Sequence, residues 1–402
     1  MSAKVLIISQ EEKFYFNDSE KASKMEIEIL FSGGIPTRMK LSTKKIYSIF
    51  FITAAVISFL AIKSEHYLSK DITVYEKIAS GSSFNYLIIG DSIGRGAGAE
   101  NKDLRWYSQL EMLLKDFSGS RARRNMLVQS GATSFEGIYK LQKSPKFRDI
   151  DLIFIVFGEN DRKYMDSEQF TFFYEKLIRD AKERYPGSEI VTIIESPLKQ
   201  EQFADSIERV STHYGAKTLD MRIPFKQSGM LTEQLTTDMV HPNGRGYQLY
   251  AASILELIKN NIEIDAEIAS LPKPLTRDQT LYLYEKKLVT ARKGFRSENG
   301  INISKRPEDY LEYEFEGPIL GVNAVRSLDG GTLKVYIDGE YVRTLSTWWP
   351  FTRERYLYIA SGLDKGHHTV RFEAVETPSP NNTSDNSIIQ VSSIIVAKDK
   401  KN

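Results

Sequence analysis

The chain has no cysteine, so any nucleophile it carries is an oxygen or a lysine. Ser92 stands in the stretch "LIIGDSIGRGAG" (87–98), which satisfies three patterns at once. Gly94, Gly96 and Ala99 fit the G-x-G-x-x-A turn that cradles a dinucleotide pyrophosphate at a helix N-terminus. Gly90, Ser92 and Gly94 fit the G-x-S-x-G elbow that presents a serine nucleophile. Gly90, Asp91 and Ser92 also make a Gly-Asp-Ser turn directly after a first strand.

The elements around that stretch separate the three. A dinucleotide turn has its glycines immediately after the strand and an acidic residue ending the second strand, but here Asp91 and Ser92 intervene and the second strand ends in "QSG". An elbow serine comes after several strands, whereas Ser92 follows the first. Apolar strand-like runs at 84–90, 124–130, 151–158, 189–196 and 216–221 alternate with helical spacing at 103–117, 170–185, 201–214 and 245–261. That alternation predicts an α/β domain of three layers around a parallel sheet over 83–262. "GEND" (158–161) follows the third strand, and "DMVHPNG" (238–244) precedes the last helix.

On these residues, the segment from about 82 to 262 resembles the SGNH hydrolases, also called GDSL-type esterases. The four blocks stand in order: "GDS" (90–92), Gly131 in "QSGAT", "GEND", and D-x-x-H from Asp238 to His241. Singly, each has a plainer reading: Ser92 as a cap, Gly131 as a turn, Asn160 and Asp161 as an Asx-turn, Asp238 and His241 as a solvated loop pair. Four in order at strand and helix boundaries carry the resemblance. It implies Ser92 as nucleophile and His241 as base. Three residues apart, Asp238 and His241 share one side of a turn, so the carboxylate accepts from Nδ1–H and Nε2 faces Ser92. It also implies an oxyanion hole from the backbone N–H of Ser92, the N–H of Gly131 and the Asn160 amide. Asp91, Gly158 and Asp161 would support these: Gly158 by a tight strand exit, Asp161 by bracing the oxyanion loop. No metal or cofactor is expected. His66, His213, His367 and His368 lack any ligand spacing and read as structural or exposed. Arg95, near Ser92, reads as an exposed salt bridge and alternatively as a contact for an anionic substrate.

"IYSIFFITAAVISFLAI" (46–62) is uncharged and just long enough to cross a bilayer. Arg38, Lys40, Lys44 and Lys45 crowd its N-terminal side, which predicts a transmembrane anchor with a cytoplasmic N-terminus and an extracytoplasmic remainder. No small-x-small cleavage site follows it. Residues 1–45 would be the cytoplasmic segment and 63–82 a stalk. Residues 1–38 show no convincing pattern, and "MKLSTKK" from Met39 reads like a natural start, which makes Met39 or Met25 a candidate first residue.

After the hydrolase segment, 263–304 reads as a connecting stretch and 305–402 as a β-sandwich, with Asp338-Gly339 as a two-residue hairpin turn. That texture broadly resembles the jelly-roll modules of some carbohydrate esterases. Trp348 and Trp349 fit either a sugar-stacking platform or the seam between domains. A formal charge of +1 (54 basic, 53 acidic residues) gives nucleic-acid binding no support. The expected function is a serine esterase that hydrolyses or transfers acyl groups, acetyl foremost, on a surface or secreted polysaccharide. A lipase, thioesterase or lysophospholipase is the alternative enzyme, and a non-catalytic carbohydrate-binding assembly factor the alternative class. Oligomeric state is not legible.

Overall fold

The computed structural model describes residues 72–399, except 385, and the backbone of four strands nearer the N-terminus. Those strands, β1 (Leu6–Ile8), β2 (Lys13–Tyr15), β3 (Lys24–Ile29) and β4 (Thr37–Ser42), form an antiparallel sheet in chain order, a unit to themselves. The span 1–38 thus holds strands where no pattern was expected. Runs this short give too few repeats for a period to show. The apolar run 46–62 lies outside the described residues. Among the described residues no helix is long and apolar enough to cross a membrane.

The second unit begins with the α/β domain. Strands β5 (Phe84–Gly90), β6 (Ala122–Val128), β7 (Ile150–Val156), β8 (Glu189–Ile194) and β9 (Lys217–Asp220) pair in parallel in the order β6-β5-β7-β8-β9. Their centres, such as "YLII" and "LIFIV", are apolar throughout because both faces are covered. Against one face pack α1 (Val74–Ala79), α2 (Trp106–Ser118) and α8 (Gly244–Glu263), whose Val74, Trp106 and Tyr250 join Ile88 and Phe154 in one core. Against the other lie α3 (Ser134–Lys143), α4 (Ser167–Arg184) and α5 (Glu201–His213), around Leu87, Phe135, Ile155 and Phe173. Two short helices, α6 (Arg222–Gln227) and α7 (Thr232–Leu235), lead to α8. The chain leaves β5 to one side for β6 and returns on the other for β7. The crevice at the C-terminal ends of β5 and β7 is therefore the switch point where α/β sheets place their sites.

Two helices depart from expectation. Part of the stalk, 63–82, is α1, closed by a capping box in which Thr73 Oγ1 accepts from Glu76 N–H and the Glu76 carboxylate accepts from Thr73 N–H. It buries Tyr75 and so belongs to the domain. Helix α3 was not expected at all. Gly137 at its centre lowers helix propensity, and it is there because a Cβ would come 2.6 Å from the Phe157 ring.

The β-domain begins inside the span expected as a connection, 263–304. Strands β10 (Leu281–Lys286), β11 (Ala291–Lys293), β12 (Arg296–Glu298) and β13 (Ile301–Ser304) all lie there. They are short or border the long last strand, so their pattern is faint until that partner is known. With β14 (Tyr310–Glu316), β15 (Ile319–Arg326), β16 (Thr332–Ile337), β17 (Glu340–Ser346), β18 (Arg353–Ser361), β19 (His367–Ala374) and β20 (Ile389–Asp399) they make two antiparallel sheets. One runs β12-β13-β20-β15-β18 with β10 also on β20, the other β11-β14-β19-β16-β17. Leu320, Val322, Val335 and Phe372 fill the space between them. Asp338 and Gly339 have φ of 52° and 86°, the expected hairpin turn with two positive φ values.

The two domains share a core. Leu283, Ile319, Tyr358 and Ile395 belong to the same buried cluster as Phe135 and Phe173. Phe135 and Phe173 meet the Tyr358 ring edge-on, at 5.8 and 5.4 Å. Arg355 and Glu136, 0% and 1% exposed, form a bidentate pair across the same seam. Phe135→Ala should therefore cost about 3–5 kcal/mol of stability, a cavity in a core common to both domains. Denaturant unfolding of the full chain checks this, and a loss below about 1 kcal/mol would mean that the seam is not load-sharing.

Candidate active site

The loops after β5, β6 and β7 and the segment ahead of α8 converge on Ser92. Ser92 leaves the end of β5, 7% exposed, and its hydroxyl donates to His241 Nε2 at 2.9 Å. His241 Nδ1 donates to Asp238 Oδ2 at 2.7 Å. Asp238 Oδ1 also accepts the backbone N–H of His241 (2.7 Å) and Val240 (3.1 Å), closing a turn in which Met239 takes a φ of 67°. Partial burial pushes the Asp238 carboxyl up, but these His241 and Val240 bonds outweigh it and hold the group below its ordinary value. It is a carboxylate at neutral pH, and that fixes the imidazole tautomer with Nε2 as acceptor.

The histidine segment is pinned to the serine loop. Thr237 Oγ1 donates to the Gly98 carbonyl at 2.6 Å, and Thr237 N–H donates to the His241 carbonyl at 2.9 Å. Gly98 has φ 94°, and a Cβ there would fall 2.8 Å from His241 Cβ and 2.5 Å from the Pro242 carbonyl. Only glycine allows both the conformation and the approach. The glycines of "GRGAG" thus shape a loop around Ser92. Asn243 caps α8 by accepting from Arg245 and Gly246 N–H, which sets where the segment before it ends.

The three groups expected as oxyanion donors sit on the loops after β5, β6 and β7. Among the described residues, neither Ser92 N–H nor Gly131 N–H donates to another group. Asn160 is held by Nδ2 donating to Asp91 Oδ2 at 2.6 Å, which leaves its second amide hydrogen free of that bond. Asp91 is itself fixed by Ile93 N–H, at 2.8 Å on Oδ1. Asp161, fully buried, accepts from Ser134 N–H (2.8 Å) and Oγ (2.6 Å), so it ties the "GEND" loop to the start of α3 just beyond Gly131. Gly158 lets the chain turn with φ 142°. Sequence reasoning missed Glu195, at the end of β8, whose Oε2 accepts from Glu159 N–H at 2.8 Å. Its signal was an acidic residue closing an otherwise apolar strand, "EIVTIIES". Burial, and then the Asp91 charge, push Glu195 well above the carboxylate range.

Two other expectations turn out differently or more narrowly. Arg95 is exposed and forms no ion pair among the described residues, so the salt bridge expected of it is absent. Trp349 lies at the domain seam, where a Cβ on Gly131 would stand 3.2 Å from its ring, and the Arg326 and Arg355 guanidiniums lie over that ring at 4.9 and 5.0 Å.

Burial pushes Asp161 up to about 7, against the pull of its Ser134 bonds. A carboxyl raised in this way contributes stability that is fully present below about pH 4 and is lost as pH rises through about 7. Asp161→Asn should consequently gain on the wild type by on the order of 3 kcal/mol between pH 4 and 8, read from denaturant unfolding at both. A difference that does not change with pH would contradict the buried-acid assignment.

Residues 88–249 match the family model described as the GDSL-like lipase/acylhydrolase family. No curated protein matches significantly. Among solved structures, a two-domain esterase (CEX) active on acetylated mannans superposes with a TM-score of 0.63 at 18% identity, covering 82% of this chain and 95% of its own. An acetylxylan esterase, Axe2, from Geobacillus stearothermophilus covers 45% of this chain and 96% of its own at 19% identity, with a TM-score of 0.38 too low to carry an argument. The first match extends over both domains and shows a shared fold. Residues 88–249 are a GDSL-like lipase/acylhydrolase domain of the SGNH type, and the protein is a carboxylic ester hydrolase with a C-terminal β-sandwich.

Proposed function

We propose that Ser92, His241 and Asp238 act as nucleophile, general base and orienting carboxylate in the cleavage of an acyl ester, acetyl foremost, carried by a polysaccharide. The observation that carries this reading is the chain of two bonds, Ser92 Oγ to His241 Nε2 at 2.9 Å and His241 Nδ1 to Asp238 Oδ2 at 2.7 Å. Both lie within the distance a proton-transfer pair requires.

In the first half-reaction the Ser92 oxygen bonds to the acyl carbon as its proton passes to Nε2. The carbonyl oxygen takes the negative charge and is met by the N–H groups of Ser92 and Gly131 and the Asn160 amide. Collapse breaks the bond to the sugar oxygen, which receives the proton from Nε2, and leaves an acyl-serine. In the second half-reaction the water oxygen bonds to the acyl carbon as its proton passes to Nε2, and collapse then breaks the bond to Ser92 Oγ, which takes that proton back as the acid leaves. A sugar hydroxyl in place of that water gives transfer by the same steps.

The sugar substrate is supported by the two-domain architecture shared with an esterase named for acetylated mannans. The uncharged run 46–62 with its basic N-terminal flank supports a membrane anchor that places the catalytic domain outside the cytoplasm.

The full chain should release nitrophenol from 4-nitrophenyl acetate, and Ser92→Ala should abolish the activity. Equal rates in mutant and wild type would sink the assignment. Asn160→Ala should lower kcat by about 100- to 1,000-fold, the effect of one oxyanion donor, with a much smaller change in KM. A loss confined to KM would give Asn160 a binding role instead.

A further inference from the structure

Beside Gly131, between the two domains, is a cavity of about 190 Å³ lined by Gly131, Glu136, Tyr164, Arg326, Ser346 and Tyr356 among others. Its lining holds one carboxylate, Glu136, and one guanidinium, Arg326, and two further guanidiniums, Arg355 and Arg343, stand against residues that line it. The one buried carboxylate, Glu136, is already taken by Arg355 through Nε and Nη2 and by Lys140 at 3.2 Å. The Arg326 guanidinium makes no hydrogen bond or ion pair among the described residues, and its Nε is shut off from solvent. Its Cζ stands over the Trp349 ring, 4.9 Å from the centroid, a contact that does not neutralise the charge. Arg355 is 0% exposed, and its Nη1 has no partner. That nitrogen is 3.8 Å from where a Cβ on Gly131 would stand, so it is turned toward the residue proposed as an oxyanion donor. Arg343 spends one nitrogen on the Tyr164 carbonyl at 2.8 Å, and its Nε and Nη1 have no partner.

Holding partly buried guanidinium groups such as Arg326 and Arg343 without a carboxylate partner costs stability. Water filling the cavity could satisfy N–H donors but would leave the excess positive charge in place. Burial, and then the Arg355 charge, pull Arg326 down to about 10, which still leaves it protonated at neutral pH. The planar fork of a guanidinium matches a carboxylate on two oxygens at once.

We propose that this cavity is an anion subsite that receives the carboxylate of a uronic acid residue adjoining the acylated sugar, so that the substrate is an acylated acidic glycan. This rests on the esterase reading above and narrows its substrate class. The β-domain then contributes specificity directly, through Arg326 and Arg355 beside the hydrolase loop that carries Gly131.

The test compares kcat/KM of the full chain on an O-acetylated oligogalacturonate and on an O-acetylated manno-oligosaccharide of equal length, with 4-nitrophenyl acetate alongside. The wild type should prefer the acidic substrate by about tenfold or more, the scale of a hydrogen bond to a charged group. Arg326→Gln should bring the ratio of the two close to one, and Arg326→Lys should keep part of it. A misfolded fraction scales both rates alike, so the ratio reports the subsite whatever the yield of folded variant. Nitrophenyl acetate turnover with no acidic preference, or an unchanged ratio in Arg326→Gln, overturns the anion subsite and leaves the esterase standing. Failure on all three substrates overturns both.

Discussion

The bond between Ser92 Oγ and His241 Nε2 joins segments 149 residues apart, and the rest of the α/β domain is arranged so that it can form. A 2.9 Å contact between two side chains on loops requires both loops to be fixed to a fraction of an ångström. The serine side is fixed by β5, whose two neighbours in the sheet lock its end at the switch point. The histidine side is fixed by the Asp238 turn, by the cap on α8 and by Thr237 on the Gly98 carbonyl. Gly98 is the contact where the two meet, which explains a glycine-rich loop that otherwise reads as a phosphate cradle.

Beneath that contact, buried acids do the positioning. Asp91 holds Asn160 and Asp161 holds the start of α3, so the loops after β5, β6 and β7 are tied to one another by carboxyl groups. Their burial raises both, Asp91 to about 6 and Asp161 to about 7. Burying these acids costs stability, and the hydrogen bonds they accept hold the three loops together. On the open side the β-domain closes the same loops from outside. Arg353 donates to the Gln129 side chain at 2.7 Å and Arg355 grips Glu136, while the shared apolar core keeps the two domains in register.

The legible and illegible parts divide by range. Ser92, Asp91, Gly131, Gly158, Asn160, Asp161, Asp238 and His241 all sit in short motifs at element boundaries, and the structure brings their segments to one crevice. The five parallel strands were legible because burial on both faces leaves long apolar runs, as was the hairpin at Asp338-Gly339. Helix α3 was hidden by Gly137, and β10 to β13 by their shortness and by a partner strand close to a hundred residues further on. Glu195 had only a faint signal, an acid closing an apolar run, and Arg326 and Arg355 carry no local pattern at all. The Arg355–Glu136 pair spans 219 residues, and only the packed domains reveal that Arg355, in β18, faces the loop that carries Gly131.

The proposed reaction turns on a covalent acyl intermediate at Ser92. The most direct measurement is peptide mass spectrometry of the full chain after brief exposure to an activated acetyl ester and an acid quench. One acetyl group is expected on the peptide containing Ser92, its amount falling when hydroxylamine is added before the quench and absent in Ser92→Ala. Turnover of the ester with no acetyl group on that peptide, or an acetyl group that persists in Ser92→Ala, would contradict it.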